Sequence, residues 1–149
     1  EGPDKSMPIR PLLLSDAAAM AALHLAGFSK AWPESDMTAH VENDLVLGIG
    51  EPLCGFVILR PSFDQAEILT IVIGPESRGA GLARQLLSAC EHAAAAKGVE
   101  VIFLEVAEDN AAAIALYKGC GYEAFGRRPA YYRRENGRVA ALTFRKSLL

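Results

Sequence analysis

The sequence predicts one α/β domain of the α+β kind: a mixed, mostly antiparallel sheet of about seven strands flanked by about four helices. Three observations lead there. The chain has 149 residues, 51% of them hydrophobic, which suits one sizeable core and leaves too little for a second domain. Short β-branched runs alternate with turn signals along its length. Residues 65–122 then follow a fixed order: apolar strand, Gly-rich turn, amphipathic helix, strand carrying one acid, helix carrying one tyrosine.

Residues 9–14 form a short apolar strand, and Ser15 or Asp16 caps an Ala-rich helix over 17–26. Residues 27–33 are a loop holding the only tryptophan, Trp32, and Ser35 caps a second helix that runs to 42. The runs 45–50 and 54–60, separated by Glu51-Pro52-Leu53, read as an antiparallel hairpin that Pro61 ends. The longest β-branched run, 67–73, stops at Gly74 and Pro75. From 81 to 97, Leu82, Leu86, Ala89, Cys90 and Ala93 make one apolar helical stripe, and Gly98 stands where a left-handed cap belongs. Residues 101–106 form an apolar strand interrupted by Glu105 alone, and Asn110 caps a helix over 111–119. Strands over 122–128 and 139–147, with Asn136-Gly137 as a turn signal, complete the sheet. The domain is expected over 7–149, with Met7 as the native start and residues 1–6 as a foreign remnant or disordered leader.

The net charge of -3 provides no field to hold a nucleic-acid backbone, and a basic peptide or amine partner is compatible with it. Cys54, Cys90 and Cys120 are an odd set with no CxxC and no histidine at ligand spacing, so neither a disulfide framework nor a metal site is expected. His24, His40 and His92 are expected as solvated or helix-face side chains. No run approaches the roughly 20 apolar residues of a membrane span. A cytoplasmic protein without a membrane partner is the expectation.

The turn is Arg78-Gly79-Ala80-Gly81-Leu82-Ala83, followed by Arg84. Small residues between a strand and a helix let successive backbone N–H groups point at one anion, aided by the helix dipole, and the two arginines add charge-assisted contacts. An ordinary strand-to-helix turn is the alternative. No Gly-Lys-Ser/Thr follows, so it is not a P-loop, and the third glycine of a dinucleotide fingerprint is missing, which makes a nicotinamide cofactor the weaker reading. Glu105, inside an apolar strand, must be paired or face a wet cleft: it is a candidate base, or half of a structural ion pair with an arginine. Tyr117 is a candidate acid, or a core aromatic with its hydroxyl at the surface. Trp32 and the pair Tyr131-Tyr132 can line a groove for a substrate, or serve as a loop anchor and a strand-edge pair. Arg127 and Arg128 read as a solvated charge pair, Cys90 as core, and Cys120 as the end of a helix.

On these residues the chain resembles the GNAT superfamily of acetyl-CoA-dependent N-acetyltransferases. The signature Arg or Gln, two residues, Gly, one residue, Gly or Ala is matched by Arg78, Gly81 and Ala83. A second signature is matched by Asn110, Ala113, Leu116-Tyr117 and Gly121-Tyr122. Within the superfamily, LEV followed by NAAAIALY and a later Tyr-Tyr before Asn-Gly-Arg is similar to the RimI type, which acetylates the N-terminal alanine of a ribosomal protein. The resemblance implies that Ile71 and Ile73, on a splayed strand end, offer backbone groups to the pantetheine arm of acetyl-CoA. It implies that Arg78, Gly79, Ala80, Gly81, Leu82, Ala83 and Arg84 hold the pyrophosphate, that Asn110 is both cap and cofactor contact, that Glu105 is the general base, and that Tyr117 protonates the departing thiolate. The reaction so implied is direct attack of a primary amine in a ternary complex, with a protein or peptide N-terminus as the favoured acceptor. A small amine is the alternative acceptor, and a non-catalytic acyl-CoA-binding module is a further one. The chain departs from the RimI pattern in three places: Val139 and Ala140 stand where an acidic residue usually precedes the last strand, Ala31-Trp32-Pro33 replaces Pro-Trp-Ser, and the tail Phe144-Arg145-Lys146 is basic.

Overall fold

The computed structural model describes residues 7–28 and 31–149, so the expected leader over 1–6 lies outside the described residues. The strands are β1 (Ile9–Pro11), β2 (Leu45–Ile49), β3 (Gly55–Ser62), β4 (Gln65–Ile73), β5 (Val101–Ala107), β6 (Glu123–Arg134) and β7 (Gly137–Ser147). The α-helices are α1 (Ala17–Gly27), α2 (Glu34–Asn43), α3 (Leu82–Ala96) and α4 (Ala111–Gly119), with single 3₁₀ turns at Leu14–Asp16 and Pro75–Ser77. The strands form one mixed sheet in the order β1-β2-β3-β4-β5-β7-β6. The expected α/β class with seven strands and four helices is the one observed. Chain contacts divide it into two compact units: residues up to Arg60 with Leu69–His92, and Pro61–Ile68 with Ala93–Leu149.

In the first unit β1, β2 and β3 are antiparallel neighbours, with Pro11 opposite Leu47 and Leu47 opposite Val57. Met20 of α1 and Met37 of α2 are wholly buried with Leu12, Phe56, Ile58 and Val72, so both N-terminal helices close on the sheet through one apolar cluster. Neither Ser15 nor Asp16 caps α1 with its side chain. The Asp16 carboxylate instead accepts two bonds of 2.9 Å from Arg10 and one of 2.7 Å from the Leu13 amide, which closes the preceding 3₁₀ turn. Ser35 is not a cap either, since α2 starts at Glu34 after Pro33. Pro61 does not end β3: the β2 ladder stops at Leu59, so the missing N–H of Pro61 interrupts no bond to that neighbour.

In the second unit β5 lies parallel to β4 at Gln65↔Val101 and antiparallel to β7 from Val101↔Ser147 to Ala107↔Ala141. Its two faces are unequal. Ile102, Leu104 and Val106 are buried, while Val101, Phe103 and Glu105 are half-buried on the opposite face, as the two-residue period requires. β6 runs six residues past its expected end at 128, through Pro129. It is the last strand of the sheet, where a proline costs no central ladder bond, and a register shift between Arg128 and Tyr132 absorbs Pro129 and Ala130. Val139 and Ala140 lie within β7 rather than ahead of it, with Ala140 buried.

The long helix α3 confirms the expected stripe at Leu82, Leu86 and Cys90 and shifts the rest of it. Leu87 and Ala94 are buried, whereas Ala89 and Ala93 are only half-buried. The step of four from Leu82 through Leu86 and Cys90 to Ala94 is the true centre line. Gly98 has the left-handed φ of +90° expected after the helix.

Candidate active site

The first unit carries the turn between β4 and α3. Gly79 and Gly81 adopt φ of +81° and +77°, a conformation that L side chains resist, and a Cβ built at either would meet nothing within 4 Å. These glycines are therefore required by backbone conformation, with open space in front of them rather than packed protein. The Gln85 amide reaches back to the Gly81 carbonyl at 3.2 Å, so the helix begins directly at the turn. The first-turn amides of a helix have no partner within it, and their dipole favours negative charge. An open turn of this shape, leading into a 15-residue helix, fits a pyrophosphate. Arg78 takes a different direction from the one expected of an anion contact. Its Nε donates to the Ile73 carbonyl at 3.1 Å, and its Nη2 would lie 3.4 Å from a Cβ at Gly27, the last residue of α1.

Trp32 is half-buried in the same unit. Its ring stacks on His24 at 4.8 Å and meets His40 at 5.2 Å, and its amide donates to His24 Nδ1 at 3.1 Å. His24 is not solvated as expected: it is 2% exposed, lying between Phe28 and Trp32, and burial pushes its pKa down. An Nδ1 that accepts a hydrogen bond belongs to a neutral ring whose proton is on Nε2. His40 is paired too, with Nδ1 at 2.8 Å from Asp44, whose other bonds come from Arg60 at 2.8 and 3.1 Å.

The second unit carries Glu105, Asn110, Tyr117, Tyr131 and Tyr132. Glu105 is 3.2 Å from Arg128 Nε, and Arg127 and Arg128 are solvated as expected, their side chains 54% and 60% exposed, while each also meets an acid. Arg127 forms a twin hydrogen bond with Glu108 at 2.9 and 3.2 Å, and Arg134 does the same with Asp109 at 3.0 Å. Asn110 caps α4 as its sequence position implied, its Oδ1 accepting from the Ala113 amide at 3.1 Å. Tyr117 is 7% exposed, packed on Tyr122 and Phe144. Burial above all, then the neighbouring Cys120 and Tyr132, pushes its pKa up to about 12. The phenol thus keeps its proton throughout the physiological range. Tyr132 is raised as well, first by burial and next by the Glu105 charge. Tyr132 is therefore within electrostatic reach of both Glu105 and Tyr117.

Of the two readings of Glu105, the ion pair with an arginine is present, and the structure identifies that arginine as Arg128. Arg128 pairs with Ala141, which pairs in turn with Ala107, so the two-residue period puts Arg128 on the face of Glu105. Among the described residues no cluster of His, Cys, Asp or Glu has the makings of a metal site, and no helix is long and apolar enough to cross a membrane.

The sequence signature of the acetyltransferase (GNAT) family matches residues 17–122, which spans the turn, Glu105 and Tyr117. The chain belongs to this family. It is an acetyl-CoA-dependent N-acetyltransferase. Among curated proteins, the ribosomal protein bS18-alanine N-acetyltransferase of Escherichia coli is 32% identical over 127 residues, covering 82% of this chain and 86% of that one. The N-alpha-acetyltransferase RimI of Mycobacterium tuberculosis is 42% identical over 73 residues, covering 49% of this chain and 44% of that one. Among solved structures, the ribosomal-protein-S18-alanine N-acetyltransferase from Escherichia coli superposes with a TM-score of 0.89 at 27% identity, covering 95% of this acetyltransferase and 94% of the other. Likeness to the RimI type thus holds in sequence and in fold.

Proposed function

We propose that this acetyltransferase acts on the N-terminal α-amine of a protein or peptide, with Glu105 as general base and Tyr117 as general acid. The observation that carries the reading is the half-buried Glu105 carboxylate on β5, with a protonated phenol at Tyr117 in the same unit. Acetyl-CoA supplies an activated acetyl thioester. The backbone of Gly79, Ala80, Gly81, Leu82 and Ala83 holds its pyrophosphate, aided by Arg84, while the end of β4 at Ile71 and Ile73 contributes further contacts. Arg78 supports the strand end through the Ile73 carbonyl.

The attacking amine must lose a proton and the leaving sulfur must gain one, so a base and an acid are both needed. Glu105 removes the first proton, and Tyr117 Oη holds the second. An α-amine suits one carboxylate base, because freeing a lysine amine near neutral pH costs about 3.5 kcal/mol more. Tyr131 and Tyr132 line the acceptor path in this reading. The bS18-alanine activity of the Escherichia coli relative makes an alanine-initiated peptide the first acceptor to try.

Thiol release from acetyl-CoA, followed with an alanine-initiated peptide and with the same peptide blocked at its N-terminus but carrying an internal lysine, tests the proposal. Acetylation of the free-amine peptide alone is expected. Modification of the lysine peptide alone, or of small amines alone, would overturn it.

A further inference from the structure

Strand alternation would place Arg128 and Tyr131 on opposite faces of β6. The register shift between Arg128 and Tyr132, with Ala130 at φ +54°, cancels that alternation. The Arg128 guanidinium carbon consequently lies 4.9 Å above the Tyr131 ring while Nε is 3.2 Å from the Glu105 carboxylate. Tyr131 meets Tyr132 edge to face at 5.1 Å. A carboxylate with aromatic faces beside it is a seat for an organic cation.

The pair also differs from its two neighbours. Arg127 and Arg134 each grip their acid with two hydrogen bonds, a fork that is slow to open. Among the described residues Arg128 meets Glu105 through a single 3.2 Å approach, and its side chain is 60% exposed. An ion pair so exposed contributes little and exchanges readily with another cation.

We propose that Arg128 occupies the seat of the acceptor's ammonium group. The guanidinium held between Glu105 and Tyr131 marks a subsite for a primary ammonium, which enters by displacing Arg128 and then loses its proton to Glu105. The subsite is specific to the cationic head of the acceptor. It rests on the proposed role of Glu105, since the displaced arginine is what frees that carboxylate to accept a proton.

Propylammonium, titrated by NMR against the whole chain, reads the seat whatever the natural acceptor is. Arg128→Ala is expected to bind it about fivefold more tightly than the wild type, the size of effect an exposed ion pair and ring contact impose together. Arg128→Lys returns a cation to Glu105 and is expected to lie near the wild type, while Arg128→Ala combined with Glu105→Gln loses the gain. In steady-state kinetics with the alanine-initiated peptide, the gain appears in the acceptor KM rather than in kcat. Equal or weaker propylammonium binding by Arg128→Ala, including none, would overturn the proposal. Failure of the peptide reading is separate, because it appears as absent peptide acetylation by the wild type with the propylammonium result intact.

Discussion

The turn between β4 and α3 is distinguished by its backbone, whereas the stretch from Glu105 to Tyr117 is distinguished by its side chains. Gly79 and Gly81 hold left-handed φ angles with no protein within 4 Å of where a Cβ would stand. Glu105 and Tyr117 are instead defined by what surrounds them: an arginine and a tyrosine near the first, aromatic packing around the second. A phosphate presents the same shape in every acyl-CoA, so backbone geometry suffices to receive it. Proton transfer needs groups of particular ionisation, and only burial and neighbours can set that. The two regions should therefore respond to substitution in different ways.

The largest effect is expected in the side-chain region. Glu105→Gln keeps the shape of the residue and removes the base, so kcat should fall by about 10²–10⁴, with far-UV circular dichroism unchanged. Tyr117→Phe keeps the ring against Tyr122 and Phe144 and should lower kcat by less, about tenfold or more, because water can supply the proton. Single-turnover measurements separate both from product release. If both variants kept the wild-type chemical step, the assignment of roles would be wrong.

The backbone region should respond in KM and in stability. A Cβ at Gly81 has open space, yet Gly81→Val places a β-branched residue at φ +77°, a strain of about 1–2 kcal/mol. The acetyl-CoA KM is expected to rise with little change in the acceptor KM, and urea unfolding should show the lost stability. A Gly81→Val enzyme with an unaltered acetyl-CoA KM would remove the turn from the donor site.

The smallest effect concerns Trp32. Buried His24 stays neutral to lower pH than a histidine of the unfolded chain, whose pKa is near 6.5. The unfolded state therefore takes up the proton first, and this contribution destabilises the fold as pH drops below about 6.5. Asp16 and Asp44 have lowered pKa values and lose their stabilising effect only below about 3.8, so the windows do not overlap. His24→Asn keeps an acceptor for the Trp32 amide and cannot titrate. The fall in urea midpoint between pH 7.5 and 5.5 should be smaller in this variant than in the wild type.

Much of the fold was legible because the signals are local. Asn110 caps α4 where its position implied, Gly98 ends α3, and the hairpin of β2 and β3 pairs antiparallel. The misreadings share one cause, a dependence on neighbours distant in sequence. Pro61 reads as a strand end, yet the β2 ladder stops at Leu59 and its missing N–H interrupts no bond to that neighbour. Asp16 reads as a cap, yet Arg10 claims its carboxylate. His24 reads as a surface residue, yet Phe28 and Trp32 enclose it.

The same division holds at the site. By itself the sequence determined the order of elements, the glycine turn, the lone acid of β5 and the tyrosine of α4, because residue type and spacing encode local conformation and chemistry. The tertiary structure decided that Arg128 faces Glu105, that Arg78 turns to the Ile73 carbonyl, and that Tyr117 is buried enough to hold its proton. Those facts follow from strand register and packing, which bring together residues that the chain keeps far apart.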